Sequence, residues 1–509
     1  MRPHLSPAAA AALRTALHRA DYTPDGVLAL LGGDAHAALG RGEPEPAHRA
    51  TAGAGELGVL VRLFLLGGTE PEPAVAAALA PLPVAGAAAA GLVRPAGDGW
   101  AAALDLRPYG TDDSDERAPA RWWVLSDLDL PGGHHRQERD HVTGVGGASV
   151  TLATATLRTP AGTVLDLGTG CGVQALHATR HAARVTATDL APRALAMAAA
   201  TFALNEVDVE LLDGPWLEPV GGRRFDRIVS NPPFVLGPPR LDLVYRDPGE
   251  PGDAAVARLV AGLPVHLEPG GVAQLLASWL HMTGEDWPDR VRGWLPPGVD
   301  AWIVQREVAD PALHVGTWQR DAGIEPASPQ GRIRAAAWLD WFAVERVEAI
   351  GFGFLVLRRV RDGTAPTVVV EDLTGAQAAP DGTEVAGWLD RVDWLRAHST
   401  DAALLGARLT LAPGVVLERH AVPATGDDPG WTDAGAAVLR TDGPRWRHEV
   451  DGPAATLLAG CRGALPLGDL VGLLALAHDR PADALVAATL PAVRELVRHG
   501  LLRPAGEPG

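Results

Sequence analysis

The stretch Val164 to Gly172 reads Val-Leu-Asp-Leu-Gly-Thr-Gly-Cys-Gly. A short apolar run carrying one carboxylate, Asp166, breaks into glycines at alternate positions, Gly168, Gly170 and Gly172. Residues 173–178 contain no Gly or Pro and suit a helix. Strand, tight turn and helix follow in that order. Glycine suits the turn because it accepts positive φ and lets a ligand approach the backbone closely. A second apolar run, 184–188, ends in Asp189, at roughly the 20-residue spacing where a βαβ unit places a ribose-binding carboxylate. A dinucleotide fingerprint reads G-x-G-x-x-G. This loop reads G-x-G-x-G, which suits a nucleoside without a pyrophosphate.

The alternation continues downstream. Strands are predicted at 164–167, 184–188, 207–212, 225–230, 271–277, 299–306 and 351–359, with helices at 172–181, 192–204, 254–263 and 332–349. Strands alternating with helices imply an α/β fold, a doubly wound, mostly parallel Rossmann-like sheet, here of seven strands. Ligands of such sheets bind at the carboxyl ends of the strands. The Gly loop, Asp189, Asp213 and Asn231 all fall there.

Asn231 opens the run Asn-Pro-Pro-Phe. Two successive prolines after a strand stiffen the backbone. The Asn231 side-chain oxygen and the Pro232 carbonyl can both accept hydrogen bonds from one NH₂ group, with Phe234 as a stacking wall. Such a geometry holds a planar amide or aromatic amine. Together, the Gly loop, the acidic strand end and Asn-Pro-Pro-Phe resemble the class I S-adenosylmethionine-dependent methyltransferases, in the branch that carries an N-P-P-[FY] motif. The resemblance covers about residues 140–360.

It implies S-adenosylmethionine as cofactor, held by Asp166, Gly168, Thr169, Gly170, Gly172, Asp189, Leu190 and Asp213 with Asn231 beside it. Asp189 would take both ribose hydroxyls, or cap the helix that follows at Pro192. Asp213 would meet the adenine amino group, or serve only as a turn aspartate. Asn231, Pro232 and Phe234 would position the methyl acceptor. Acceptors in this branch include release-factor glutamine amides, adenine N6 and guanine N2. The continuation Val-Leu-Gly-Pro-Pro at 235–239 resembles the glutamine branch, although Phe234 stands where that branch usually has Tyr, and Phe there is more familiar in ribosomal RNA guanine-N2 enzymes. Gly146, Gly147 and Ser149 are candidates for closing over the methionine end, or a helix start with Ser149 as N-cap. The loop 245–253, with Gly249 and Gly252, reads as a substrate lid, and its acidic groups suit a polypeptide better than a phosphate backbone.

Length and composition bound the rest. The chain has 509 residues, enough for several domains. Residues 1–110 read as a helical, winged-helix-like unit, 118–362 as the methyltransferase domain and 363–509 as an α+β unit, itself winged-helix-like over 452–509. An acidic linker lies at 112–116. Leu-Val-Arg-Pro-Ala-Gly at 92–97 and Leu-Leu-Arg-Pro-Ala-Gly at 501–506 suggest either a distant repeat or two helix ends of common residues. A net charge of −18 weighs against holding nucleic acid through phosphates. The chain contains no lysine, so Schiff-base chemistry is excluded. Its Ala, Gly, Pro and Arg content suggests a high-GC bacterium. Only Cys171 and Cys461 are present, which fits a reducing cytoplasm. His134 and His135 lack metal-spaced partners, so no metal is expected. No apolar run is long enough to span a membrane. A protein or RNA acceptor is the expected partner, with the terminal units available for protein docking.

Overall fold

Val164, Leu165 and Leu167 are buried in strand β1 (Ala161–Leu167), the centre of a large sheet. The other strands are β2 (Ala182–Asp189), β3 (Glu210–Asp213), β4 (Phe225–Ser230), β5 (Leu267–Met282), β6 (Val299–Ala309), β7 (Val347–Arg359) and β8 (Val368–Asp372). Their spatial order is β8-β6-β7-β5-β4-β1-β2-β3. Strands β3, β2, β1, β4 and β5 run parallel, and β7 is antiparallel to both β5 and β6. This is the expected Rossmann-like sheet with one more strand than predicted. Residues 368–372, assigned from sequence to the unit beyond 363, hydrogen-bond to the β6 edge and make the sheet eight-stranded. The computed structural model describes residues 2–111, 120–128, 138–239, 242–375, 380–424 and 430–506. The acidic linker and the His134-His135 pair lie outside them.

Helices α1 (Val173–Ala178), α2 (Pro192–Asn205), α3 (Ala254–Gly262), α4 (Pro311–Asp321) and α5 (Pro329–Val344) accompany the sheet. Val256, Leu259 and Val260 of α3 pack with Leu165, Ile228, Leu275, Ile303 and Leu355 of the sheet in one core. Two predicted boundaries move. Val207 donates its N–H to Phe202 O, so it belongs to the turn ending α2 and β3 starts later. Helix α5 stops at Val344 because Arg346 adopts a left-handed φ of 60°, and the chain enters β7 at Val347.

The described chain divides into two compact units, Met1–Ala153 with Thr159–Glu371, and Thr154–Arg158 with Asp372–Gly509. The division therefore does not separate residues 1–110 from the sheet. In that N-terminal stretch, a helix at Gly55–Leu60 precedes a strand at Thr69–Glu70, helices at Glu72–Leu79 and Val84–Ala89, and a hairpin of Val93–Ala96 with Gly99–Ala102. Near the C-terminus, a helix at Gly452–Gly460 precedes a strand at Arg462–Pro466, helices at Leu467–Ala477 and Ala482–Arg498, and a strand at Leu502–Pro504. In both stretches the Leu-x-Arg-Pro-Ala-Gly segment enters its strand just after a left-handed glycine, Gly91 with φ 79° and Gly500 with φ 71°.

Candidate active site

The Gly loop leaves β1 with φ of 77° at Gly168, 55° at Gly170 and 92° at Gly172, all in the region that favours glycine. Two carboxylates tie it down. Asp166 Oδ2 accepts from Thr169 Oγ1 at 2.6 Å and from the Ala175 amide of α1 at 3.0 Å. Asp189 Oδ2 accepts from the Gly170 amide at 2.9 Å, and its Oδ1 from the Ala191 amide at 2.8 Å. The Gly168 and Thr169 amides both donate to Thr188 O, and the Gly172 amide to Thr169 O. These loop amides are thus spent inside the protein, where the sequence suggested they would face a ligand. A Cβ on Gly172 would lie 2.7 Å from the Phe202 ring, so this glycine serves close packing against α2. Burial pushes the Asp166 carboxyl up to about 7, and its Oδ1 has no hydrogen-bond partner among the described residues. Burial also raises the Asp189 carboxyl, against the Ala191 and Gly170 amides.

A cavity of about 810 Å³ opens beside this loop. Among the predicted residues, Gly168, Thr169, Gly170, Asp189, Leu190, Asn231, Pro232 and Phe234 line it, as do Gly146, Gly147 and Ser149. Asp166 and Gly172 stand behind the loop rather than on the cavity wall. Asp213 is exposed, in register with Asp189 across β2 and β3; it is the following Gly214, Pro215 and Trp216 that reach the wall. Ser149 is not an N-cap, because its helix begins at Gly147; its carbonyl accepts from Gln174 Nε2 at 2.8 Å. Segment 141–149 is pinned from below, where Asp127 Oδ2 accepts from the Val142 amide and from Arg193 Nε of α2, both at 2.9 Å. Burial opposes ionisation of Asp127, yet the Arg193 hydrogen bond and the Val142 amide leave its carboxyl below the usual range.

The opposite wall begins at the end of β4. Ser230 Oγ donates to Leu167 O at 2.8 Å and locks β4 to β1. Asn231 Oδ1 is buried with no hydrogen-bond partner among the described residues. A buried acceptor left unsatisfied costs about 1–3 kcal/mol, so the atom is poised for a donor brought from outside. Phe234 packs against Phe352 at 5.1 Å and Trp318 at 5.8 Å between ring centroids, and its carbonyl accepts from Ser278 Oγ. Past the motif, the Val235 amide donates to Arg246 O at 3.0 Å and the buried His314 Nε2 donates to Leu236 O at 2.8 Å. Burial holds His314 neutral, its imidazole brought down to about 4.

The stretch 245–253 is not a free lid. Arg246, Asp247 and Asp253 are buried. Asp253 accepts from the Leu280 amide at 3.0 Å and from Arg290 twice at 2.8 Å, and the Gly252 amide donates to Gly237 O. Arg246, within the stretch expected to meet substrate, does reach the wall; sequence reading missed Trp216 and Trp318, and Leu39, Gly40, Asp105 and Arg107 from the N-terminal stretch. None sits in a motif or at a periodic position. Among the described residues no three His, Cys, Asp or Glu side chains group as metal ligands, and no helix is long and apolar enough to cross a membrane.

Residues 144–278 match the methyltransferase small domain family. Residues 19–103 and 386–504 match two domains of unknown function, DUF7059 and DUF7782. A release factor glutamine methyltransferase of Xylella fastidiosa strain Temecula1 is 41% identical over 128 residues, 23% of this chain and 46% of that protein. A ribosomal RNA small subunit methyltransferase C of Alcanivorax borkumensis is 32% identical over 117 residues, 23% of this chain and 32% of that protein. The chain thus spans about half the length, or less, of these relatives. Among solved structures, a Thermus thermophilus 16S rRNA N2 G1207 methyltransferase in complex with AdoMet and guanosine aligns at 20% identity, covering 49% of this chain and 66% of that one with a TM-score of 0.26.

Proposed function

We propose that this chain, whose residues 144–278 belong to the methyltransferase small domain family, transfers a methyl group from S-adenosylmethionine to the side-chain amide nitrogen of a protein glutamine. One observation carries the reading. The carboxylate-tied Gly loop and Asn231, whose buried Oδ1 has no hydrogen-bond partner among the described residues, line a single cavity. S-adenosylmethionine, when bound, supplies a methyl group on a positively charged sulfur.

The chain's residues supply position. Asp189, at the rim of the loop, accepts ribose hydroxyls with its remaining lone pairs. Leu190, Pro215 and Trp216 offer apolar surface to the base. Asn231 Oδ1 and the Pro232 carbonyl accept the two N–H groups of the amide and turn its nitrogen toward the donor. Phe234, braced by Trp318 and Phe352, fixes the amide plane. Holding two reactants in line in this way can lower a barrier by several kcal/mol. The glutamine reading over a nucleobase draws on the 41% identity to a glutamine methyltransferase and on the carboxylates of the outer wall, where Asp247 and Asp321 flank Arg246 and Asp242 pairs with Arg334.

The test is methyl transfer from labelled S-adenosylmethionine into cell lysate by the purified protein, followed by nuclease or protease. Label that survives nuclease, is lost to protease and maps to N5-methylglutamine by mass spectrometry is the expected result. Label confined to digested RNA or DNA would replace this reading with base methylation.

A further inference from the structure

Arg246 is 2% exposed, yet one branch of its guanidinium is unused. Nη1 donates to Trp318 O at 2.6 Å and lies 3.2 Å from Asp321 Oδ2. Nε sits 3.3 Å from Asp247 Oδ1, close enough to pair in charge but without a hydrogen bond. Nη2 has no hydrogen-bond partner among the described residues. The residue lines the cavity with Asn231, Phe234 and Trp318. Its position is fixed twice over. Its backbone carbonyl takes the Val235 amide directly after the motif, and its side chain holds the carbonyl of Trp318, whose ring braces Phe234.

Asn231 and Arg246 both line the cavity, and each carries buried atoms without a hydrogen-bond partner among the described residues: an oxygen that only accepts, Asn231 Oδ1, and nitrogens that only donate, Arg246 Nε and Nη2. Their complement is a group that carries both a donor and an acceptor. The charge around Arg246 narrows the choice. Among the described residues Asp247 and Asp321 already pair in charge with it, and Asp242 pairs with Arg334 at 3.0 Å. A phosphate or carboxylate would compete with these carboxylates for the guanidinium. A neutral carbonyl oxygen would not.

We infer that Arg246 is the specificity-determining residue that reads the carbonyl oxygen of the acceptor amide while Asn231 and Pro232 read its NH₂. This rests on the amide reading above. A primary amide carries oxygen and nitrogen on one carbon and satisfies both atoms at once; an exocyclic base amine presents ring nitrogens beside its NH₂ instead.

The test uses the full-length protein, labelled S-adenosylmethionine and nuclease-treated cell protein as acceptor. Arg246→Met should lower the initial rate into glutamine at least 30-fold at limiting acceptor, while cofactor affinity stays within threefold of the parent. Arg246→Gln keeps one N–H donor and should recover part of the loss. Should Arg246→Met fail to bind cofactor, Arg246→Lys carries the test. It keeps the charge beside Asp247 and Asp321 but has no second branch, and the same loss is expected. A parent-like rate in whichever variant binds cofactor normally overturns the role of Arg246 and leaves the amide reading standing. A parent enzyme that labels only nucleic acid overturns both.

Discussion

The two walls of the cavity differ in how complete their hydrogen bonding is. On the Gly-loop wall, Asp189 holds two amides and Thr188 O takes two more; behind the loop Asp166 Oδ2 takes Thr169 and Ala175, while its Oδ1, off the cavity, has no partner among the described residues. On the Asn231 wall, Asn231 Oδ1 and two nitrogens of Arg246 are buried without hydrogen-bond partners among the described residues. A wall whose cavity-facing groups are already satisfied can offer shape and spare lone pairs, which is enough to bind a common cofactor. A wall left unsatisfied discriminates, because a ligand lacking the complementary group leaves a buried polar atom unpaired. The contrast assigns cofactor affinity to the first wall and acceptor choice to the second.

Removing the unsatisfied oxygen should do the most to break this contrast. Asn231→Ala is expected to lower methyl transfer on the order of 10³-fold, the scale of losing one preorganised polar contact in a water-excluded site. Cofactor affinity, measured by titration, should stay within threefold. Equal losses in rate and in cofactor affinity would mean that the walls are not separable. The converse substitution, Asp189→Ala, removes both the ribose acceptor and the tie to Gly170. Cofactor affinity should fall about 100-fold, as hydrogen bonds to a charged group are worth about 1.5–3 kcal/mol each. The rate at saturating cofactor should fall far less.

Two glycines sharpen the comparison at a smaller scale. Gly172→Ala must place a Cβ against Phe202 at a φ of 92° and should cost about 2–3 kcal/mol of unfolding free energy, with weaker cofactor binding. Gly237→Ala brings a Cβ to 3.0 Å from the Trp338 ring under the acceptor wall and should cost about 1–2 kcal/mol. Its effect should appear in the KM for the acceptor, not for the cofactor. Denaturant unfolding and initial rates check both.

How much of this was legible beforehand follows the same divide. The Gly-loop wall is built from residues close in sequence, and its strand, turn and carboxylate spacing are local, so 164–189 could be read directly. Asn231 was legible because two prolines mark it. What escaped came from distant segments. Trp318 reaches the cavity only because α4 packs against β6 and β7. Asp213 shows the reverse error: its place at a strand end was right, but the chain turns at Gly214 and presents Trp216 instead. The eighth strand lies beyond the predicted domain bound at 362, because the Ala301 amide bonds Thr367 O and the Thr367 amide bonds Asp300, feeding the chain onto the β6 edge.

The last comparison, seen only as a change with pH, sets one buried titrating group of each wall against the other. Asp166, behind the Gly loop, is pushed up to about 7, whereas a carboxyl in the unfolded chain titrates near 4. Between these values the folded chain holds a proton that the unfolded chain has lost, so Asp166 lowers stability as pH rises from about 4 to about 7. His314, beneath the acceptor wall, is brought down to about 4, whereas an unfolded imidazole titrates near 6.5. Here the unfolded chain takes up a proton that the folded chain refuses, so His314 lowers stability as pH falls through nearly the same window. The two contributions oppose each other in the parent. Asp166→Asn should therefore gain stability over the parent as pH rises, and His314→Gln should gain as pH falls. Each change should amount to on the order of 2 kcal/mol between pH 4.5 and 7. Urea midpoints across that range would give two difference curves that cross. Parallel curves would mean that the two walls do not differ in how they hold protons.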